Sequence, residues 1–181
     1  MSHLSIRELE LKFVGALCDY WSNSSPEFLT GMGVDLTKLP SRDEWEKILK
    51  EQISQSYQEK KSYCIIWLVD EKPIGHSNIN RIIFGEEAYM HLHIWDPSFR
   101  TKGLGTRFVK MTLPAYFEKF ELKKLCCEPF SKNPAPHKTL EKLGFRFIKE
   151  YTTVPGWINF EQPVKHWELT KEKFNILHGS K

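Results

Sequence analysis

Two histidines, His91 and His93, alternate with apolar residues in the segment "AYMHLHIW" of residues 88–95. Alternate side chains of a β-strand project to one side, so a strand here would place both imidazoles on the same face. Imidazole titrates near neutral pH, which suits it to accept a proton during catalysis. We predict His91 as the first choice of catalytic base and His93 as the second. The alternative is that both pack as structural residues.

The same H-x-H pair has the composition of a partial metal site. No third ligand of suitable spacing is evident in the sequence, so we predict that no metal is bound.

A different ligand is indicated by the segment "RTKGLGT" of residues 100–106, which separates this strand from a helix. The first N–H groups of a helix have no partner within it, and glycines let an anion approach them.

The glycine segment therefore predicts a phosphate or pyrophosphate site, to which Arg100 and Lys102 would add positive charge. The Walker pattern is absent, and Phe108 stands where a dinucleotide-binding pattern has its third glycine. Two other interpretations stay open at this point. One is an ordinary strand-to-helix turn, and the other is a nucleotide-binding protein of a different fold.

The composition of the whole chain is that of one globular domain. The chain has 181 residues, 40% hydrophobic and 27% charged, and a net charge of +3 that comes from mixed signs. We therefore expect no nucleic-acid partner, and because no apolar run approaches the roughly 20 residues of a membrane span, no membrane partner. The four cysteines have no C-x-x-C spacing. Reduced thiols and a cytoplasmic location are expected.

Hydrophobic periodicity predicts a mixed α/β (α+β) domain with a central mixed sheet, an antiparallel N-terminal meander and helices on both faces. Two helices, at about residues 6–20 and 41–53, are expected to open the chain and to flank a long loop. Three strands follow within residues 63–95, and then a helix over 103–120. The remainder is expected to be the strand "KKLCCEPF", the helix "PHKTLEKLG" and the strands "FRFIKEYTTV" and "KHWELTKEKF".

Two motifs in order resemble those of the GNAT superfamily of acyl-CoA-dependent N-acetyltransferases. "RTKGLG" resembles the R/Q-x-x-G-x-G/A motif, and "NPAPHKTLEKLGF" at 133–145 is similar to the second signature, an asparagine followed by a helix. The resemblance is nearest to the ribosomal-protein-type and siderophore-type branches. It implies a single GNAT domain over 1–181, with an acyl-CoA-binding core at 63–170 and a helical substrate-side segment at 1–60.

The resemblance also implies that the cofactor is acetyl-CoA (coenzyme A) and which residues bind it. The pantetheine arm would lie along the backbone of Ile94 and Trp95. The pyrophosphate would be held by Arg100, Thr101, Lys102, Gly103, Leu104, Gly105 and Thr106. Asn133, His137 and Lys138 would flank the pantetheine and the nucleotide.

By the same resemblance, a primary amine on a small molecule, a protein N-terminus or a lysine attacks the thioester directly in a ternary complex. The amine must be neutral to attack, which calls for a base such as His91 or His93. Backbone N–H groups would polarise the carbonyl. We predict Phe28, Tyr89 and Trp157 as residues that line the acceptor pocket. The protein would be a monomer or a homodimer.

One departure from the family pattern concerns the proton donor. Leu140 stands where many members have a tyrosine that reprotonates the leaving thiolate, and leucine cannot donate a proton. Tyr151 or water could replace it. The alternative function is therefore a non-catalytic GNAT-fold module that senses acyl-CoA without turnover.

Overall fold

A seven-stranded mixed sheet forms the centre of the molecule, in the order β1-β2-β3-β4-β5-β7-β6. The computed structural model describes residues 2–100 and 102–179. The strands are β1 (Leu4–Glu8), β2 (Ser62–Val69), β3 (Lys72–Ile83), β4 (Glu87–Ile94), β5 (Lys124–Cys127), β6 (Arg146–Thr153) and β7 (Gln162–Thr170). Neighbouring strands are antiparallel except β4 and β5, which are parallel. The predicted mixed sheet with an antiparallel meander is confirmed.

Helices cover both faces of this sheet, as predicted. They are α1 (Leu11–Asn23), α2 (Pro26–Gly31), α3 (Arg42–Ser54), α4 (Leu104–Lys119), α5 (Pro134–Lys142) and α6 (Lys171–His178). The helices α1 and α3 pack on the face that carries Cys64 and Ile66, whereas α4 packs on the opposite face with Ile65 and Trp67. Because β2 is covered on both sides, it is an almost continuous apolar run without polar alternation. Among the described residues no helix is long and apolar enough to cross a membrane.

The N-terminal expectation is wrong at its start. Residues from Ile6 onward were predicted to be helical, but Leu4–Glu8 is a strand and α1 begins only at Leu11. β1 pairs with β2, with Leu4 opposite Val69, so it satisfies backbone groups along the edge of the sheet. Pairing with a segment about sixty residues away outweighed the local helical spacing.

The C-terminal expectation is wrong at its end. The last strand was predicted to continue through "KEKF", but it stops at Thr170, and α6 follows. The Thr170 side chain accepts a hydrogen bond of 3.2 Å from the backbone N–H of Lys173 and so caps the helix. Phe174 then stacks on Phe117 of α4, with ring centroids 4.5 Å apart. Helical geometry is what brings Phe174 onto the core.

The parallel pairing of β4 with β5 ends early. The register runs from Glu87 opposite Lys124 to Tyr89 opposite Cys126 and stops there, although β4 continues to Ile94. β5 is only four residues long and ends ahead of Pro129, which has no N–H to donate. A gap therefore opens beside residues 90–94 of β4, and three cavities meet at this gap.

Hydrogen bonds connect the loop between β6 and β7 to the segment between α2 and α3. The carbonyl of Gly33 accepts hydrogen bonds from Asn159 Nδ2 at 2.8 Å and from Gln162 Nε2 at 2.9 Å. The backbone N–H of Asp35 donates to the carbonyl of Ile158 at 2.8 Å. Gly33 has a φ of +86°, and a Cβ there would lie 2.0 Å from Gln162 Oε1. Only glycine fits this position without strain.

We predict that Gly33→Ala lowers the free energy of unfolding by about 1–3 kcal/mol, because alanine is strained at this φ and would displace Gln162. Gly31→Ala is the matched control, since a Cβ at Gly31 would meet nothing within 4 Å. Urea unfolding of both variants measures the difference. Equal midpoints for the two would show that Gly33 is not needed for this contact.

Candidate functional site

Two cavities lie at β4 beside the gap. The large cavity, of about 630 Å³, lies between the end of β4, the start of α4 and helix α5. The small cavity, of about 140 Å³, lies between α1, α3 and the face of the sheet that carries His91 and His93. A third space of about 80 Å³ occupies the gap between them. His93 lines all three spaces, so it stands where they meet.

The large cavity has the features of an anion site. Helix α4 begins after Gly103, which has a φ of +72° and caps the helix with no side-chain hydrogen bond. The first N–H groups of α4 therefore face the cavity side with the positive end of the helix dipole. Positive charge is added by Arg100, Lys138 and Lys142, which line the cavity. A group with several phosphates fits this donor set.

The side chain of Arg100 is directed at the backbone of β4. Its Nε and Nη2 atoms donate to the carbonyl of Ile94 at 3.1 and 2.9 Å, and Nη2 also donates to the carbonyl of Trp95 at 3.3 Å. Its Cζ atom lies 4.1 Å from the centroid of the Phe28 ring. Arg100 therefore holds the end of β4 in place, and its contact with Phe28 keeps α2 beside the large cavity.

The structure brings most of the predicted cofactor residues together. Those that line the large cavity are Ile94, Arg100, Gly103, Gly105, Thr106, Asn133 and Lys138. Lys102 is exposed outside the lining, and Leu104 packs against the core. The indole of Trp95 faces the other side of the sheet, and Thr101 lies outside the described residues. His137 is not in the lining, because its ring contacts the Phe130 carbonyl and the Trp167 indole at 3.2 Å each.

The floor of the small cavity carries His91 and His93, together with a third histidine, His76 of β3. His76 and His93 stack with ring centroids 4.7 Å apart. His91 Nε2 lies 3.2 Å from Asn80 Oδ1, and His93 Nδ1 lies 3.1 Å from the hydroxyl of Tyr20. The two predicted histidines thus share the predicted face, but each has a different partner.

The predicted acceptor-pocket residues separate in the structure. Trp157 lines the small cavity, and Phe28 lines the large one. Tyr89 lines neither, because its ring is covered by the guanidinium of Arg81, whose Cζ atom lies 3.4 Å from the ring centroid. Arg81 in turn pairs with Glu128 at 2.6 Å. Tyr89 therefore belongs to a polar cluster beside the cavities.

Tyr151, the proton donor considered from the sequence, also belongs to this cluster. Its hydroxyl donates to Glu128, which His166 also contacts at 2.9 Å. Neither cavity is lined by Tyr151. Among the described residues, one group has ligand atoms close enough for a metal, namely Cys126, His166 and Glu168, within 4.8 Å of one another. Glu168 is already paired with the ammonium of Lys124 at 2.9 Å.

Burial sets the protonation of the site. It lowers the pKa of His93 to about 3, with a further contribution from His91 and Arg100, and lowers the pKa of His91 to about 4, helped by Arg81. Burial also raises the pKa of Tyr20. At neutral pH both imidazoles are therefore neutral, and the Tyr20 hydroxyl keeps its proton. An imidazole with so low a pKa holds an added proton only briefly and needs a second group to receive it.

Sequence reasoning missed Tyr20 and Met32 as site residues, although both line the large cavity. Apolar spacing predicts that Tyr20 lies in a helix, and α1 includes this position. Its hydroxyl meets His93 across 73 positions of the chain. The only signal in the sequence was a tyrosine on an otherwise apolar helix face. A buried tyrosine must pair its hydroxyl with a polar group.

A model of the acetyltransferase (GNAT) domain matches residues 3–146. No curated protein sequence matches the chain significantly. Solved structures match at low identity, which establishes similarity of fold.

One is RimL, the ribosomal L7/L12 alpha-N-protein acetyltransferase in complex with coenzyme A. It is 15% identical with a TM-score of 0.76, over 94% of this chain and 95% of that chain. Another is a spermidine N-acetyltransferase from Vibrio cholerae in complex with coenzyme A and spermine, 19% identical with a TM-score of 0.77, over 94% and 97%. A third is the aminoglycoside acetyltransferase AAC(6')-Ib with coenzyme A, 16% identical with a TM-score of 0.74, over 96% and 98%.

The low pKa values of His91 and His93 make stability depend on pH. Between the ordinary value of 6.5 and the folded values of about 4 and about 3, the unfolded chain binds more protons than the folded chain. The free energy of unfolding is therefore fully retained above that window and falls as pH is lowered through it.

We predict that His93→Asn makes this fall shallower, by up to one proton taken up on unfolding. Urea unfolding at several values from about pH 7 to about pH 4 measures the slope. His3→Asn, at an exposed histidine, is the control and is expected to keep the parent slope. An unchanged slope in His93→Asn would mean that this imidazole is protonated as easily in the folded chain as in the unfolded one.

Proposed function

The chain belongs to the acetyltransferase (GNAT) family, and from this premise we propose that it transfers an acetyl group from acetyl-CoA to a primary amine by direct attack in a ternary complex. The membership and the acetyltransferase class predicted from the two motifs are confirmed by the family match. The observation that carries the proposed mechanism is the position of His93, which lines both the small and the large cavity.

The large cavity is the proposed site of the acyl donor. The N-terminus of α4, which has no side-chain cap, and the basic residues of the lining suit the phosphates of coenzyme A. Residues 92–94 of β4, which have no strand partner on the β5 side, lie along the inner end of the cavity. Three acetyltransferases of similar fold are in complex with coenzyme A. Bound acetyl-CoA supplies an activated thioester, and those N–H groups of residues 90–94 that point into the gap are placed to polarise its carbonyl.

The small cavity is the proposed site of the amine. An amine in it would approach the gap over His91 and His93, and of these His93 also faces the large cavity. We therefore assign the proton-accepting role to His93, the second choice from the sequence. His91, bonded to Asn80, lies farther from the large cavity and helps to shape the floor.

His93 acts together with Tyr20 in this proposal. With the proton of neutral His93 on Nδ1 and directed at the Tyr20 oxygen, Nε2 is free to take the proton that the amine loses. As Nε2 gains that proton, Nδ1 passes its own to the Tyr20 oxygen, and the Tyr20 hydroxyl releases its proton into the large cavity. One proton leaves the nitrogen side and one reaches the sulfur side, so charge balances.

A concerted transfer of this kind resolves two difficulties. An imidazole with a pKa of about 3 is too weak a base to hold the proton alone, and a tyrosine with a raised pKa is too weak an acid to yield its proton alone. Neither charged form has to persist when the two transfers are coupled. Tyr20 thus supplies from α1 the hydroxyl that Leu140, wholly buried in the core, cannot supply from α5.

The non-catalytic sensor remains the alternative that the missing tyrosine at Leu140 suggests. It predicts selective binding of acetyl-CoA with no transfer to any amine. Release of the coenzyme A thiol in the presence of an amine panel distinguishes the two functions directly.

For the donor site, we predict that Lys138→Gln/Lys142→Gln weakens acetyl-CoA binding by about tenfold, because two charges beside the phosphates are removed. Lys61→Gln/Lys173→Gln removes the same charge at exposed positions away from both cavities and is the matched control. Calorimetric titration, with NAD and ATP beside acetyl-CoA, measures affinity and selectivity. Equal affinity for all three ligands would contradict a coenzyme A site.

For the proton path, we predict that Tyr20→Phe lowers kcat by about 10- to 100-fold and leaves acetyl-CoA affinity near that of the parent, because only a hydroxyl is lost. Tyr151→Phe loses a hydroxyl that faces Glu128 and should keep the parent kcat. Initial rates of thiol release with the best amine of the panel give kcat for both variants. Parent-like kcat in Tyr20→Phe would exclude this relay.

A further inference from the structure

The lining of the small cavity carries no formal charge. Among the described residues that line it there is no aspartate, glutamate, lysine or arginine. Its polar groups are amides such as Asn78, Asn80 and Gln52, together with the three histidines of the floor. The pKa of each of these histidines is lowered by burial, so they add no charge at neutral pH.

This lining discriminates between amines by their charge. A polyamine or an aminoglycoside that places one amine at His93 brings further ammonium groups into or near the cavity. Taking an ammonium out of water without a carboxylate partner is strongly unfavourable. The proposed reaction needs one amine, which must in any case lose its charge to attack, so a second cation is the costly one.

The walls of the small cavity are aromatic. Trp21 and Trp45 stack with ring centroids 5.4 Å apart, and Trp45 meets Trp157 at 5.6 Å. Trp157 is 55% exposed, so these rings extend from the interior to the surface. Flat indole faces favour an apolar or aromatic group beside them, and they attract a single incoming ammonium.

One of these tryptophans has an unused hydrogen-bond donor. Trp45 is 7% exposed, and its Nε1 atom has no hydrogen-bond partner among the described residues. A buried N–H group without an acceptor is uncommon and unfavourable. An oxygen on a molecule bound against the edge of the Trp45 ring would satisfy it.

Resting on the proposed function, we infer that the acceptor is a compact monoamine whose substituent is aromatic and carries an oxygen acceptor, and that polyamines and aminoglycosides are rejected. The similar folds that act on spermidine or aminoglycosides do not carry that specificity to this chain, because the specificity depends on the charge of the lining.

Tyramine, spermidine and kanamycin are suitable probes of this inference. Each is titrated into the full chain saturated with coenzyme A, and tryptophan fluorescence and calorimetry report binding without turnover. Tyramine is expected to bind at least about tenfold more tightly than either polycation, because no carboxylate offsets their second charge. Equal or tighter binding of a polycation, or no binding of tyramine, overturns the inference.

Two variants test the physical causes. Asn78→Asp places a carboxylate on the cavity floor and is expected to shift the affinity ratio toward spermidine by about tenfold. Trp45→Phe keeps a ring and removes the unpartnered N–H, so tyramine affinity should fall by about threefold while that of 2-phenylethylamine, which has no oxygen, stays unchanged. An equal loss for both amines would exclude a hydrogen bond from Trp45.

Transfer is then measured with acetyl-CoA and the same amines. Binding of tyramine with no release of the coenzyme A thiol from acetyl-CoA would end the proposed function and leave the assignment of the cavity standing. Faster acetylation of spermidine than of tyramine would overturn the inferred specificity and leave the proposed function standing.

Discussion

The early end of the pairing between β4 and β5 is the constraint on which the rest of the molecule depends. The two parallel strands share a register only from Glu87 to Tyr89, and residues 90–94 continue without this neighbour. Backbone hydrogen-bonding capacity is thereby left beside a gap in an otherwise continuous sheet. The large and the small cavity both reach this gap, and His93 is the residue of the described sheet that lines both.

The two sides of this gap differ in charge. The large cavity has the N-terminus of α4 and the basic residues Arg100, Lys138 and Lys142, whereas the small cavity has neutral amides and tryptophans. The acidic residue that lines the space in the gap, Glu128, is engaged by Arg81 and other partners. The two cavities therefore suit ligands of different charge.

Burial weakens the two histidines as bases, and a hydroxyl group in contact with His93 compensates for this loss. Their pKa values are lowered by desolvation, which keeps them neutral but makes each a weak base. The hydroxyl of Tyr20 at 3.1 Å from His93 Nδ1 gives a transferred proton an immediate destination. A buried imidazole can therefore serve in proton transfer when a second buried group is already in contact with it.

Local sequence is enough to predict the features that depend on neighbouring residues. These are the glycine turn before α4, the signature around Asn133, most helices and strands, and the common face of His91 and His93. Contacts between residues far apart in the sequence depend on the folded structure. It made residues 4–8 a strand, turned the end of the chain into a helix on Phe117, and brought Tyr20 to His93. Periodicity records which side a residue faces, but its partner depends on how whole elements pack, and no local pattern contains that information.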